Sequence, residues 1–438
     1  MRSRLMMILT GAVVFLATAC GSTSTGTGGA AGGGPVLWAH PGSLEKLYDL
    51  SVSWYNEKHP GHPMTIQKYD NDPYKVKLRE SLLEGRTEEP TPDVFFNWGG
   101  GSLKSFVDAG KVQDLNAEIA AHPEVKARFL PSSLDSATYG DKIYGLPMNG
   151  VQPVNFFYHK ELFARAGVAV PQTFDELLAV VGKLRAAGIT PITLGGKSKW
   201  TDLMYIEYLV DRLAGPQLFE SIRNGDTNAW SSPVMLQAAR MVQQLVDAGA
   251  FQQGFETMSY DDGSTSKQLA GGQAAMELMI TAQFPNLIDR APDLISGDKL
   301  GWFPFPTVAG GTGNPRNVVG SPTNYYSIRA GSAASAGAAD YLRDVMMSDP
   351  YVDWLIDKGE VPPVTGIEQK LAKSPYASWL EFTYASVRDA PHFQLSWDQA
   401  LSPQDAGVLL DQLDLLFRKN ITPEQFTSAM RDKTGKPR

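Results

Sequence analysis

The 438-residue chain has a single cysteine, Cys20, so no intramolecular disulfide can form and folding must rest on core burial. Basic runs are missing too: Lys and Arg number 39 against 47 Asp and Glu, a formal net charge of −8. Such an acidic surface argues against nucleic acid and against electrostatic adsorption to anionic lipid. The apolar stretch Leu5–Leu16 is too short to span a bilayer. Paired cysteines and H-E-x-x-H are absent, and the calcium-loop beginning at Asp70-Asn71-Asp72 is broken by Pro73-Tyr74. No metal site and no cofactor motif is therefore expected. What remains is a globular mixture, 43% hydrophobic and 20% charged, long enough for two ordinary domains.

The first residues stand apart. Arg2 and Arg4, the apolar Leu5–Leu16 and the small Ala17-Thr18-Ala19 before Cys20 have the layout of an export signal. A lone cysteine after such a site resembles the lipobox of bacterial lipoproteins, whose thiol is acylated, although Ala17 stands where Leu is usual. Residues 1–19 are thus expected to be a signal peptide, and 20–34 a lipidated Cys20 with a flexible linker, because 21–34 lack apolar bulk and charge. Loss of Arg2 and Arg4 takes the formal net charge from −8 to −10.

From Pro35 onward strand-like runs alternate with helical ones. VLWAH (36–40), MTIQKYD (64–70), DVFFNW (93–98), VNFFYH (154–159), ITPITLG (189–195), AAMELM (274–279) and LGWFPFP (300–306) read as strands, and TYGDKIYG (138–145) as a hairpin. Helical patterns fill 200–214 and 233–248, and capping boxes open helices at Thr173 and Thr422. This rhythm predicts an α/β fold of open mixed sheets flanked by helices, with ligands beyond the carboxyl ends of the strands.

The stretch DVFFNWGGGSLKSF (93–106) runs a strand through three glycines into a helix, as phosphate sites do. Neither G-x-x-x-x-G-K-[ST] nor G-x-G-x-x-G fits, and Lys104 occupies the glycine position of a hydrolase elbow around Ser102. Ser102 reads instead as a helix N-cap, and the glycines as a sharp turn that approaches a ligand closely. A glycosidase needs two facing carboxylates, which 47 Asp and Glu leave open but no motif marks.

Several of the 9 Trp sit beside polar residues: Asn97-Trp98-Gly99, Lys199-Trp200-Thr201 and Trp397-Asp398-Gln399. Sugars present flat C–H faces rimmed by hydroxyls, so aromatic plates edged with amides and carboxylates suit them.

PDVFFNWGGGSLKSFVDAGKVQDL (92–115), YGLPMNGVQPVNFFYHKELFARAGVAVPQTFDELL (144–178) and GGQAAMELM (271–279) together resemble the extracellular solute-binding proteins of ATP-driven (ABC) oligosaccharide importers, the maltodextrin-binding type. The resemblance implies a two-lobed, type II periplasmic-binding-protein-like fold with three interlobe crossings, near Leu146–Val151, Val308–Val318 and Glu360–Thr365. It implies an N-terminal lobe of 35–147 plus 312–361 and a C-terminal lobe of 148–311 plus 362–438. It also implies no catalysis: the chain would bind a mono- or oligosaccharide, with a disaccharide favoured and xylo-oligosaccharides first, and deliver it to membrane permease subunits. The lipid would hold it at the outer face of the bacterial cytoplasmic membrane.

Carried over residue by residue, the sugar site falls on Asn97, Trp98, Asn149, Gln152, Ser321 and Asn324, with Trp397 and Asp398 reaching back over the ligand. Asn155 matches a strand position. His40 and Asp72 are placed by the strand ends, and Trp200 by its polar setting. Family members often continue A-M-E-L-M with a ligand-facing Trp. Here Ile280-Thr281-Ala282 stands instead, leaving Gln283 or Phe284 to compensate or the pocket reshaped. A secreted glycoside-acting enzyme and a surface carbohydrate adhesin are the alternatives.

Overall fold

The computed structural model of the chain describes residues 33–40, 44–86 and 90–435; the signal, Cys20 and most of the linker lie outside the described residues, as does the side chain of Asp72. The strands in chain order are β1 (Val36–Ala39), β2 (Thr65–Lys68), β3 (Val94–Asn97), the hairpin β4 (Thr138–Tyr139) and β5 (Lys142–Ile143), β6 (Leu146–Pro147), β7 (Gln152–His159), β8 (Thr190–Ile192), β9 (Ala274–Ile280), β10 (Leu300–Phe303), β11 (Val318–Ser321), β12 (Tyr325–Ile328) and β13 (Phe393–Leu395). Two sheets result, ordered β2-β1-β3-β12-β6 and β13-β11-β7-β9-β8, with β10 added on β7. Parallel pairing of β1 with β2 and β3 follows from the intervening helices, and the fully apolar Val94-Phe95-Phe96 suits a strand covered on both faces.

The chain passes between the sheets in short spans. Only residues 148–151 separate β6 in the first sheet from β7 in the second. The return runs through Pro322–Asn324, because β11 pairs with β7 and β13 whereas β12 pairs with β3. The crossing expected at Val308–Val318 is thereby corrected: Val318–Ser321 carries strand hydrogen bonds in the second sheet. The loop before it is pinned there as well. Buried Arg212 pairs with Asp211 at 2.6 Å and donates to the carbonyls of Asn314 and Asn317, its guanidinium lying 4.8 Å over Tyr208. In the third passage Gly359 touches Phe284, Leu130 donates to the Pro363 carbonyl and Thr365 to that of Arg128. The helix Ala377–Arg388 then seats Trp379 against Phe157 and Phe284.

Helix starts follow their predicted chemistry at Thr422, where Gln425 and Thr422 satisfy each other's amides. At Thr173 the hydroxyl accepts from Glu176, and the Glu176 carboxylate reaches back one residue further, to Gln172. Ser102 differs. The helix Gly100–Asp108 begins two residues earlier, capped by Gly99, whose φ of 72° needs no β-carbon. The free amides there go to the Asn97 side chain, 3.0 Å from Gly99, and to the Ser136 carbonyl, 2.7 Å from Gly100.

Candidate functional site

Strand register decides where a site can lie. In the first sheet the carboxyl ends of β1, β2, β3 and β6 gather with the start of β12. In the second, the carboxyl ends of β8, β9, β11 and β13 gather with the start of β7. Connections of three and four residues join these two sets of ends, so the loops they carry face one another.

On the first lobe Trp98 follows β3. Its half-buried ring stands edge-on to Phe96 at 4.9 Å and to Tyr74 at 6.0 Å, with His40 at 6.3 Å. The Lys75 ammonium lies 5.2 Å from its centroid, an attraction of cation to ring quadrupole. Across from it, Asp398 is half-buried after β13. Burial pushes its carboxyl above the usual range, offset by the Ser396 hydroxyl and the charge of Lys75. An aromatic plate rimmed by an imidazole, a cation and a carboxylate can stack on an apolar face and bond hydroxyls around it.

The structure brings only some of the expected residues to this place. Trp397 is 1% exposed, its ring stacked on Phe219 at 4.5 Å and 2° and met edge-on by Trp230; it is core in this structure, while its neighbour Asp398 is half-buried and feels the charge of Lys75. Asn97 is buried, donating to Ser327 and accepting from Gly99. Asn149 ties two passages together, its side-chain oxygen accepting from Thr323 at 2.9 Å and from the Asn324 amide at 2.7 Å. Ser321 donates to the Thr323 carbonyl and stands opposite Gln152 in the ladder. Buried side-chain atoms Asn324 Oδ1 and Asn155 Nδ2 have no hydrogen-bond partner among the described residues. Trp200 opens its helix edge-on to Tyr260 at 5.2 Å. Asp72 lies in the first turn of the helix Asn71–Arg79.

Neither residue offered for the missing plate supplies it. Gln283 is fully buried, accepting from Ser266 and donating to Glu277 at 2.6 Å, and Phe284 stacks on Trp379 at 4.7 Å. The glycines also find a different partner. A β-carbon on Gly100 would overlap the Gln399 carbonyl, and one on Gly101 the Leu401 carbonyl. Their close approach is therefore to the segment after β13, on the other lobe.

Sequence reasoning missed Lys75, Tyr260, Glu207 and Glu360. Glu207 was signalled by a charge inside the apolar helical run LMYIEYLV (203–210); Glu360, 3% exposed beside Gly150, left no such mark.

The profile of the family described as bacterial extracellular solute-binding protein matches residues 40–360. The chain belongs to that family. Among solved structures, one concerned with xylan utilization by the thermophilic bacterium Caldanaerobius polysaccharolyticus is 28% identical, with a TM-score of 0.79 over 91% of this chain and 99% of that one. A chitin oligosaccharide binding protein is 24% identical, with a TM-score of 0.80 over 92% and 98%. These neighbours have the type II periplasmic-binding-protein fold, as this chain does. An ABC transporter extracellular-binding protein of Pyrococcus horikoshii is 22% identical over 200 residues, 44% of this chain and 43% of that protein. This chain spans about half the length of the curated relatives it matches.

Proposed function

We propose that this solute-binding protein is the sugar receptor of an ABC importer, tethered through an acylated Cys20 to the outer face of the cytoplasmic membrane, and that its lobes close on a cleft-bound sugar. The observation that carries the reading is Trp98: a half-buried plate at facing strand ends, with Lys75 on its own lobe and Asp398 on the other. The likeness to a sugar-binding structure and to an ABC-linked relative supports the ligand class and the partner. A xylo-oligosaccharide of about two rings is the first candidate, since the 28% identical neighbour belongs to xylan utilization.

Tryptophan fluorescence titrated with xylobiose, cellobiose, chitobiose and maltose tests this. Saturable binding of one disaccharide without turnover is expected. Release of product would favour a glycoside-acting enzyme instead, and no binding across the panel would sink the sugar reading. Palmitate labelling of the exported chain, abolished in Cys20→Ser, tests the anchor.

A further inference from the structure

Glu207 sits in the middle of the helix Trp200–Ala214, on the second lobe, and is 1% exposed. A carboxyl in such surroundings is costly to desolvate unless it is bonded. Its bonds all reach far along the chain: Oε1 accepts from the Trp397 amide at 2.6 Å and from the Ser396 hydroxyl at 2.9 Å. Those two residues leave β13, a strand of three residues at the edge of its sheet, and begin the short turn Trp397–Ala400.

The turn is held on two other sides. The Trp397 ring is wedged between Phe219 and Trp230, and the Gln399 and Leu401 carbonyls rest where Gly100 and Gly101 lack β-carbons. Asp398 lies between these anchors. Asp398 directly follows the two residues that Glu207 binds, and the Ser396 hydroxyl and the Lys75 charge both counter the rise that burial gives its carboxyl. Glu207 has no route of its own to the Trp98 site, its second oxygen being buried.

The geometry points to Glu207 as a positioning residue for ligand recognition, fixing Ser396–Leu401 so that Asp398 is presented across the lobes to Lys75 and Trp98. The inference rests on the sugar-binding reading for its ligand but not for its anchor.

A double-mutant cycle on the full-length exported chain decides it. With the tightest disaccharide of the four-sugar panel as probe, Glu207→Leu should weaken binding about tenfold, as expected for loss of a buried, hydrogen-bonded carboxyl. Asp398→Asn should weaken it comparably, and the double variant no further than either alone. Glu207→Gln, which keeps an acceptor for both donors, should restore most of the affinity. Losses that multiply in the double variant, or an affinity unchanged in Glu207→Leu, would overturn the proposal. Should Glu207→Leu not fold, Ser396→Ala takes its place in the cycle.

Hydrogen exchange of the unliganded protein separates the two readings. Amides of Trp397–Leu401 should exchange about tenfold faster in Glu207→Leu or Ser396→Ala than in wild type, with the flanking helix Pro403–Phe417 unchanged. A wild type that binds no sugar, together with this local acceleration in the variants, would refute the sugar reading and leave the anchor standing. Uniform exchange across the variants would refute the anchor.

Discussion

Gly101 and Leu401 meet backbone to backbone across the two lobes, so closely that a β-carbon on the glycine would overlap the Leu401 carbonyl. Gly101 lies within an ordinary helix, so steric exclusion alone fixes its identity. Gly101→Ala should cost about 1–3 kcal/mol, the usual range for overpacking. Gly110→Ala is the control: its φ is 66° but nothing lies near its added methyl, so a loss of about 1 kcal/mol is expected from backbone conformation alone. Urea denaturation of both variants measures the difference.

Trp98 and Trp397 should separate affinity from stability. Trp98→Ala should lower sugar affinity about tenfold or more through loss of the plate and change the melting temperature little. Trp397→Ala removes a fully buried ring and should cost about 3–5 kcal/mol of stability. Calorimetry beside thermal melts would show the split; a Trp98→Ala protein binding as tightly as wild type would remove Trp98 from the site.

The buried carboxyls give the fold a pH dependence. Burial pushes Glu277 up to about 8 and Glu360 up to about 7, from an ordinary 4.5. Between those limits the folded chain holds protons that the unfolded chain releases. Each carboxyl's contribution is therefore full below pH 4.5 and is lost as pH rises through its folded pKa, by about 1.4 kcal/mol per unit when taken alone. Melting temperature should fall between pH 6 and pH 8, and Glu277→Gln should flatten that slope.

Arg212 is predicted to matter for the approach to β11. Arg212→Met leaves the buried Asp211 with Asn317 as its remaining side-chain donor at 2.9 Å, and breaking such a buried pair costs about 3–5 kcal/mol. Chemical denaturation would measure the loss, and proteolysis at 308–317 would locate it.

The alternation of strands and helices was legible because each apolar run is short and bounded by turn residues. The long helices and the complete Thr422 box could be read for the same reason. Individual contacts could not. Trp397 read as a sugar contact because Asp398 and Gln399 stand beside it, yet a single turn of chain sends the indole inward and leaves the carboxylate half-buried. The glycines of 99–101 announced a close approach without naming the partner, which lies some 300 positions away. The second passage was misplaced because a four-residue strand, Val318–Ser321, is defined by its pairing rather than by its pattern.

The side chain of Asn149 binds both Thr323 and the Asn324 amide, and Met148 donates to the Asn324 carbonyl. Two of the three cords between the lobes are thereby spliced into one. Any rotation of one lobe against the other has to carry both cords together, as a single leaf spring that bends in one plane and resists twist. Asn149→Ala would leave the Met148 backbone bond as the main stitch in that splice and so loosen it against twist.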